Sequence, residues 1–194
     1  MNRLLPFVVA LVLLSSQTFA QNATATITDS RDGATYNVVK IANKVWMAQN
    51  LNYSTRNSWC FKNNNDNCKK YGRVYSWFAI MNGQTKEKTQ GICMAGWHVP
   101  STDEWNQLLS QYKKSKDLFV NGESDFNMLM AGCRFANNSF DFENKAATFW
   151  TSTSDSTDNK FAISFYGYAD QKNAPVKSYE TDKTYGLYLR CIKN

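Results

Sequence analysis

Apolar and polar positions alternate with a period of two where the readable part of the chain begins. Tyr36, Val38 and Lys40 interleave with Asn37, Val39 and Ile41, Ala42-Asn43 can turn, and Lys44-Val45-Trp46-Met47 returns. This pattern around a two-residue loop predicts a β-hairpin. Residues 52–70 are rich in Asn and almost aperiodic, which predicts a loop. Val74, Trp77, Phe78 and Met81 then fall at helical spacing and predict a short buried helix over 73–82, ended by Asn82-Gly83. Trp105, Leu108, Leu109 and Tyr112 recur at i, i+3, i+4 and i+7, one apolar stripe on a main helix over 102–112. Ser101 and Glu104 before it have the spacing of a capping box, and Lys113-Lys114 suit the negative end of the helix dipole. Phe126–Met130 reads as a brief helix or strand. Phe149–Thr153, Lys160–Tyr168 and Tyr185–Ile192 read as strands, the last with Leu187, Leu189 and Cys191 on one inward face.

The N-terminal pattern is of another kind. Arg3, an apolar run from Leu4 to Leu14, and small residues at Thr18 and Ala20 predict a cleavable signal peptide over 1–20. The run is about half of the roughly 20 apolar residues a membrane span needs. No later segment is apolar enough, so no membrane span is expected after cleavage. Residues 21–31 are expected to be a flexible lead or a first edge strand, and 32–194 a single domain. The formal charge of +6 is scattered, with no basic run interleaved with aromatics, which argues against a nucleic-acid partner.

Export changes how the cysteines read. Cys60, Cys68, Cys93, Cys133 and Cys191 would meet oxidising conditions, and their odd number leaves one over. Five choices of the odd residue times three pairings of the rest leave fifteen schemes open. Cys60 with Cys68 would pin the base of the 52–70 loop, an entropic gain of roughly 2–3 kcal/mol. No CxxC or CxxH spacing accompanies the sole histidine, His98, so neither a zinc site nor a cofactor is expected.

Candidate chemistry is sparse. His98 is a possible general base, but it lacks evident partners and fits a tight turn beside Trp97 with backbone hydrogen bonds. Ser101 sits outside any GxSxG elbow, and Asp103 and Glu104 fit a helix first turn. Asp141, Glu143, Asp155, Asp158 and Asp170 lie in loops where carboxylates can gather round calcium or act as a glycosidase pair. Trp77, Trp97, Trp105 and Trp150 fall at core phases. Trp59, with Tyr53 and Phe61 near it, is the exposed-aromatic candidate for ligand binding.

Several blocks together carry a resemblance. DGATYNVVKIANKVWMAQNLNY, the WC with a second Cys beyond an Asn-rich loop, YGRVYSW, GICMAGWHVPSTDEW, FWTSTS and YGLYLRCIKN resemble, in order from Asp32 to Asn194, the Fibrobacter succinogenes major paralogous domain. GWHVPSTDEW followed by a strand-rich half ending in an Arg-Cys strand is also similar to the C-type-lectin-like and formylglycine-generating-enzyme-like folds. The resemblance implies an α+β, C-type-lectin-like single domain, mostly antiparallel, with two short helices and two disulfides. The second bridge it implies is Cys93–Cys191, leaving Cys133 as a free thiol. Asn173-Ala174-Pro175 and Trp150-Thr151-Ser152 stand where lectins carry calcium-binding carboxylates, so no calcium-dependent sugar site is implied, nor is the paired-cysteine motif of the formylglycine-generating enzymes present. The expectation is an exported, non-catalytic surface or secreted module binding a polysaccharide or a cell-envelope protein through loops 52–70, 137–145 and 169–183. A structural subunit of an envelope assembly and a hydrolase using loop carboxylates are the alternatives.

Overall fold

The computed structural model describes residues 25–194; the expected signal segment and the start of the lead lie outside them. Strand β1 (Ala25–Thr28) pairs antiparallel with β2 (Thr35–Ile41), which turns through Ala42-Asn43 into β3 (Lys44–Met47). The lead from Ala25 is therefore an edge strand and not a flexible tail. Asp29 fixes its turn: the buried carboxylate accepts from the Arg31 guanidinium at 2.6 Å, and Gly33 and Ala34 close the backbone loop.

The 52–70 stretch is more regular than its composition suggests. β4 (Ser58–Trp59) is followed by a 3-10 turn at Phe61–Asn63 and by helix α1 (Asn65–Tyr71). Asn64 caps α1 by accepting from the Asp66 N–H, and the Cys60–Cys68 bridge ties the middle of the helix to the residue ahead of the 3-10 turn. The expected 73–82 helix is shortened to α2 (Trp77–Met81), because Val74 and Tyr75 form β5 against β4. Gly72, at φ +78 with no room for a Cβ beside Asn50, breaks the chain ahead of Val74, and Ser76 caps the helix through the Ala79 N–H. Phe78 is 55% exposed, not buried.

β6 (Trp97–His98) leads to the main helix α3 (Thr102–Leu109), which has the full capping box of Ser101 and Glu104. The helix ends before Tyr112: the Ser110 hydroxyl donates to the Gln107 carbonyl, and Tyr112 N–H bonds back only three residues, to Leu109. The described residues thus hold three short α-helices, not two.

The second half is β-rich: β7 (Ala131–Arg134), β8 (Phe140–Glu143), β9 (Ala146–Ser154), β10 (Phe161–Tyr168), β11 (Lys177–Asp182) and β12 (Ile192–Lys193). Phe126–Met130 is irregular, touching Phe119 through one bridge at Met128. The sheets run in the orders β1-β2-β3-β12-β6 and β11-β10-β9, with β4-β5 and β7-β8 as separate ribbons. All these pairings are antiparallel.

The C-terminal segment stitches these pieces together. Gly186 bonds with Arg134, Leu187 with Tyr75, Tyr188 with β9, Leu189 accepts from Leu51 and Cys191 from Met47. It runs between sheets instead of along an edge, so both of its faces are buried and Tyr188 and Arg190 are as enclosed as Leu187, Leu189 and Cys191. Arg190 reaches no carboxylate; it donates to Asn50 Oδ1, Phe126 O and Asn127 O and lies on the Phe126 ring. Burial draws its pKa down to about 9, which still leaves it a cation at neutral pH. Around Trp105 the core is aromatic: its ring stacks on Phe165 at 5.3 Å and meets Trp46 edge-on at 5.3 Å. The Cys93–Cys191 bridge ties the approach to α3 to this C-terminal segment.

Candidate functional site

The β7–β8 ribbon carries an irregularity beside a groove. Cys133 pairs with Asp141 and Ala131 with Glu143, so Gly132 and Phe142 lie between these pairs on facing strands. Both have left-handed backbones, Gly132 at φ +77 and Phe142 at φ +65. A Cβ on Gly132 would stand 2.2 Å from the Asp141 carbonyl, so glycine is required for the strands to approach. Phe142 has no such freedom, and an aromatic residue in that region is strained by about 1–2 kcal/mol. Its N–H donates to Asp141 Oδ1, its carbonyl accepts from Lys145, and its ring meets Phe135 edge-on at 5.9 Å.

Phe142 lines a groove of about 430 Å³ whose other walls are Asn144, Lys145, Tyr168, Ala169, Asp170 and Gln171. The walls are tied together: Ala169 N–H donates to Lys145 O, and the 169–176 loop is held by Ser115 N–H on Ala174 O and Lys116 N–H on Lys172 O. Tyr168 continues into a tyrosine cluster with Tyr166 at 6.0 Å and Tyr179 at 6.4 Å between ring centroids. Burial, then the neighbouring Tyr179 hydroxyl, pushes the Tyr168 pKa up to about 12, so it stays a neutral phenol. The groove therefore presents two aromatic rings, two amides, one ammonium and one carboxylate on a fixed frame. That is the equipment for holding a polar ring compound by stacking and hydrogen bonds.

The aromatics expected to bind ligand are placed otherwise. Phe61 is fully buried, with Phe140 edge-on at 5.3 Å, and is a core residue. The 3-10 turn that begins at Phe61 rolls its ring inward, which the loop reading could not show. Trp59 is half-buried with one face under the Arg134 guanidinium at 3.8 Å, and Tyr53 has Arg31 at 3.9 Å over its ring. The structure does not bring the three together as one open platform. The 137–145 and 169–183 stretches each contribute to the groove, although β8 and β11 make them less loop-like than their composition suggests. Phe142 and Tyr168 have no distinguishing sequence signal beyond standing two residues before Asn144 and Asp170, residue types that favour turns.

The remaining candidates fall to structural roles. His98 bonds side chains, not backbone: Nε2 is 3.0 Å from Glu104 Oε1 and Nδ1 is 2.6 Å from Asn194 Oδ1. Glu104 stands between His98 and Ser101, so the imidazole does not face the hydroxyl and no nucleophile–base pair forms. Asp155 accepts from its own loop, at Thr157 and Asp158. Among the described residues, no group of three or more His, Cys, Asp or Glu side chains gathers where a metal could sit, and no helix is long and apolar enough to cross a membrane. Cys133 is unpaired and buried, and burial pushes its thiol up to about 12, so it cannot serve as a surface thiol for bonding between chains.

Residues 39–193 match the family described as the Fibrobacter succinogenes major domain. The chain belongs to that family. No curated protein and no solved structure matches it. In this Fibrobacter succinogenes major domain the matched stretch begins inside β2 and takes in both disulfides and the whole Phe142–Tyr168 groove.

Proposed function

We propose that this domain is an exported, non-catalytic binding module with a C-type-lectin-like arrangement, and that its partner is a polysaccharide of the cell envelope or surroundings. The observation that carries the reading is the groove: Phe142 is held in a strained conformation where its ring lines the cavity beside Tyr168 and amide side chains. An apolar sugar face suits those rings, and Asn144 and Gln171 suit its hydroxyls. A hydrolase would need two carboxylates flanking the scissile bond, and Asp170 is the one carboxylate lining the groove. The lectin-like arrangement is supported by the bridge from the approach of α3 to Cys191, the residue just ahead of the final strand β12.

Affinity electrophoresis and pull-down on a panel of soluble and insoluble neutral glycans test the reading. Retention on at least one glycan, weakened about fivefold by Phe142→Ala and by Tyr168→Ala, is the expected result, since each ring contributes on the order of 1 kcal/mol. Retention unaffected by both substitutions sinks it. Retention on none, with a protein co-purifying from envelope fractions, replaces the polysaccharide with a cell-envelope protein.

A further inference from the structure

A second groove, of about 470 Å³, opens between α2 and the β9–β10 connection, lined by Trp77, Phe78, Gln84, Ser154, Asn159 and Lys183 among others. Lys183 is its unusual member. The residue is 2% exposed, and its ammonium donates to Ser154 Oγ at 2.7 Å, Asn159 O at 2.8 Å and Asn159 Oδ1 at 2.9 Å, with the Trp77 ring centroid 4.3 Å away. Every one of these partners is neutral, and among the described residues Lys183 makes no ion pair.

A buried cation held only by neutral oxygens keeps its field directed at whatever enters beside it. Burial lowers the Lys183 pKa, with Asp155 and Asp158 nearby acting in the opposite sense. Those two carboxylates are engaged with loop groups, Asp155 with Thr157 and Asp158 N–H and Asp158 with Lys160 N–H. Asn159 is exposed, so its side-chain oxygen can rotate away and free one ammonium N–H to donate a hydrogen bond to an incoming carboxylate. The new bond would join two charges and be stronger than the one it replaces. Phe78, 55% exposed beside Trp77, supplies a ring face, and Gln84 and Asn159 supply amides for hydroxyls.

We infer that this groove takes a hexuronic acid residue of an acidic polysaccharide, with its carboxylate on Lys183 and its ring against Phe78. The site shares a glycan partner with the function proposed above but uses none of the same residues, so the two can fail separately.

Calorimetric titration of the full chain with an oligogalacturonate, its fully methyl-esterified form and a glutamate-rich peptide tests it. The acidic oligomer should bind with an affinity that falls with salt, and the ester at least about tenfold more weakly. Lys183→Met should abolish binding. Phe78→Ala, at an exposed position where the fold persists by near-UV circular dichroism, should weaken it about tenfold even where Lys183→Met does not fold. Phe142→Ala should change nothing. Equal binding of the ester, equal binding of the peptide, indifference to Phe78→Ala, or loss on Phe142→Ala would each overturn the assignment.

Discussion

The two disulfides should differ in what they contribute to stability by an amount that their loops determine. Cys93–Cys191 spans 98 positions and Cys60–Cys68 spans 8. The chain-entropy relation gives about 4.7 kcal/mol for the first loop and about 2.5 kcal/mol for the second. Burial widens the gap: Cys93 and Cys191 are fully enclosed, so replacing both by alanine also leaves a void beside Leu189 and Met47, whereas Cys60 and Cys68 are each 6% exposed at the foot of α1. Void formation at such a site adds on the order of 1 kcal/mol. A Cys93→Ala/Cys191→Ala variant should therefore lose about 5–6 kcal/mol, lowering Tm by about 10–20 °C, and Cys60→Ala/Cys68→Ala about half as much. Since a domain of this kind has about 5–15 kcal/mol in all, the long-loop variant should approach the threshold of folding. Urea unfolding followed by Trp fluorescence gives both values, and non-reducing peptide mapping of the parent chain checks the connectivity. The reasoning fails if the short-loop variant loses as much as the long-loop one, or if Cys133 appears in a bridge.

Glu104 sets an acid limit. Burial raises its pKa, but the hydrogen bond from His98 and that from the Ser101 N–H outweigh burial and hold it below the ordinary 4.5. A carboxylate depressed in the folded state contributes stability above its unfolded value and loses it as pH falls through the folded one. The parent should therefore lose Tm below about pH 4.5 more steeply than Glu104→Gln, and parallel curves would refute this. Phe142→Gly should be about 1 kcal/mol more stable than Phe142→Ala, because glycine accepts φ +65 without strain; thermal melts with alanine equal or better would show the strain to be unreal. Cys133 should resist iodoacetamide in the native protein and react fully in urea, as read by mass spectrometry; native labelling would mean the thiol is reachable.

The parts of the fold legible in the sequence were those whose local and long-range demands agree. The β2–β3 hairpin, the capped start of α3 and the buried Trp105 follow from period and capping chemistry alone, because the tertiary structure asks nothing different of them. α1 was hidden because Asn65, Asp66 and Asn67 are weak helix formers, and the helix exists through an Asn64 cap and a disulfide that periodicity does not register. Val74 and Tyr75 looked helical because apolar spacing cannot distinguish a helix from a strand this short. Arg190 alternates with Leu189 and Cys191 and so falls on the other face of the expected strand; it is buried because its segment runs between sheets, and sheet order is a property of the whole chain. The candidate site shows the same division. Its walls were drawn from two stretches marked by composition, but the residues facing the cavity depend on the pairing of β7 with β8, which puts Phe142 opposite Gly132.

Fourteen per cent of this chain is aromatic, and rings alone cannot mark a binding surface in it. What separates them is what already covers each face. Trp46, Trp105, Phe126, Phe149 and Phe165 cover one another. Trp59, Tyr53 and Trp77 each have one face taken by a cation of the protein, so part of the attraction a ligand would draw on is already satisfied internally. Phe142, Tyr168 and Phe78 face cavities and, among the described residues, have no cation within stacking reach, although polar side chains stand beside each. Exposure of an aromatic ring to water costs free energy that the fold could recover by burying it, as it does with Phe61. Leaving Phe78 open, and holding Phe142 at a strained φ where it lines a groove, runs against that tendency at two separate places. Phe142 lies where a strand distorts and Phe78 on a short helix beside the end of β9, since strands buried on both faces, such as those meeting the C-terminal segment, have no side left to offer a partner.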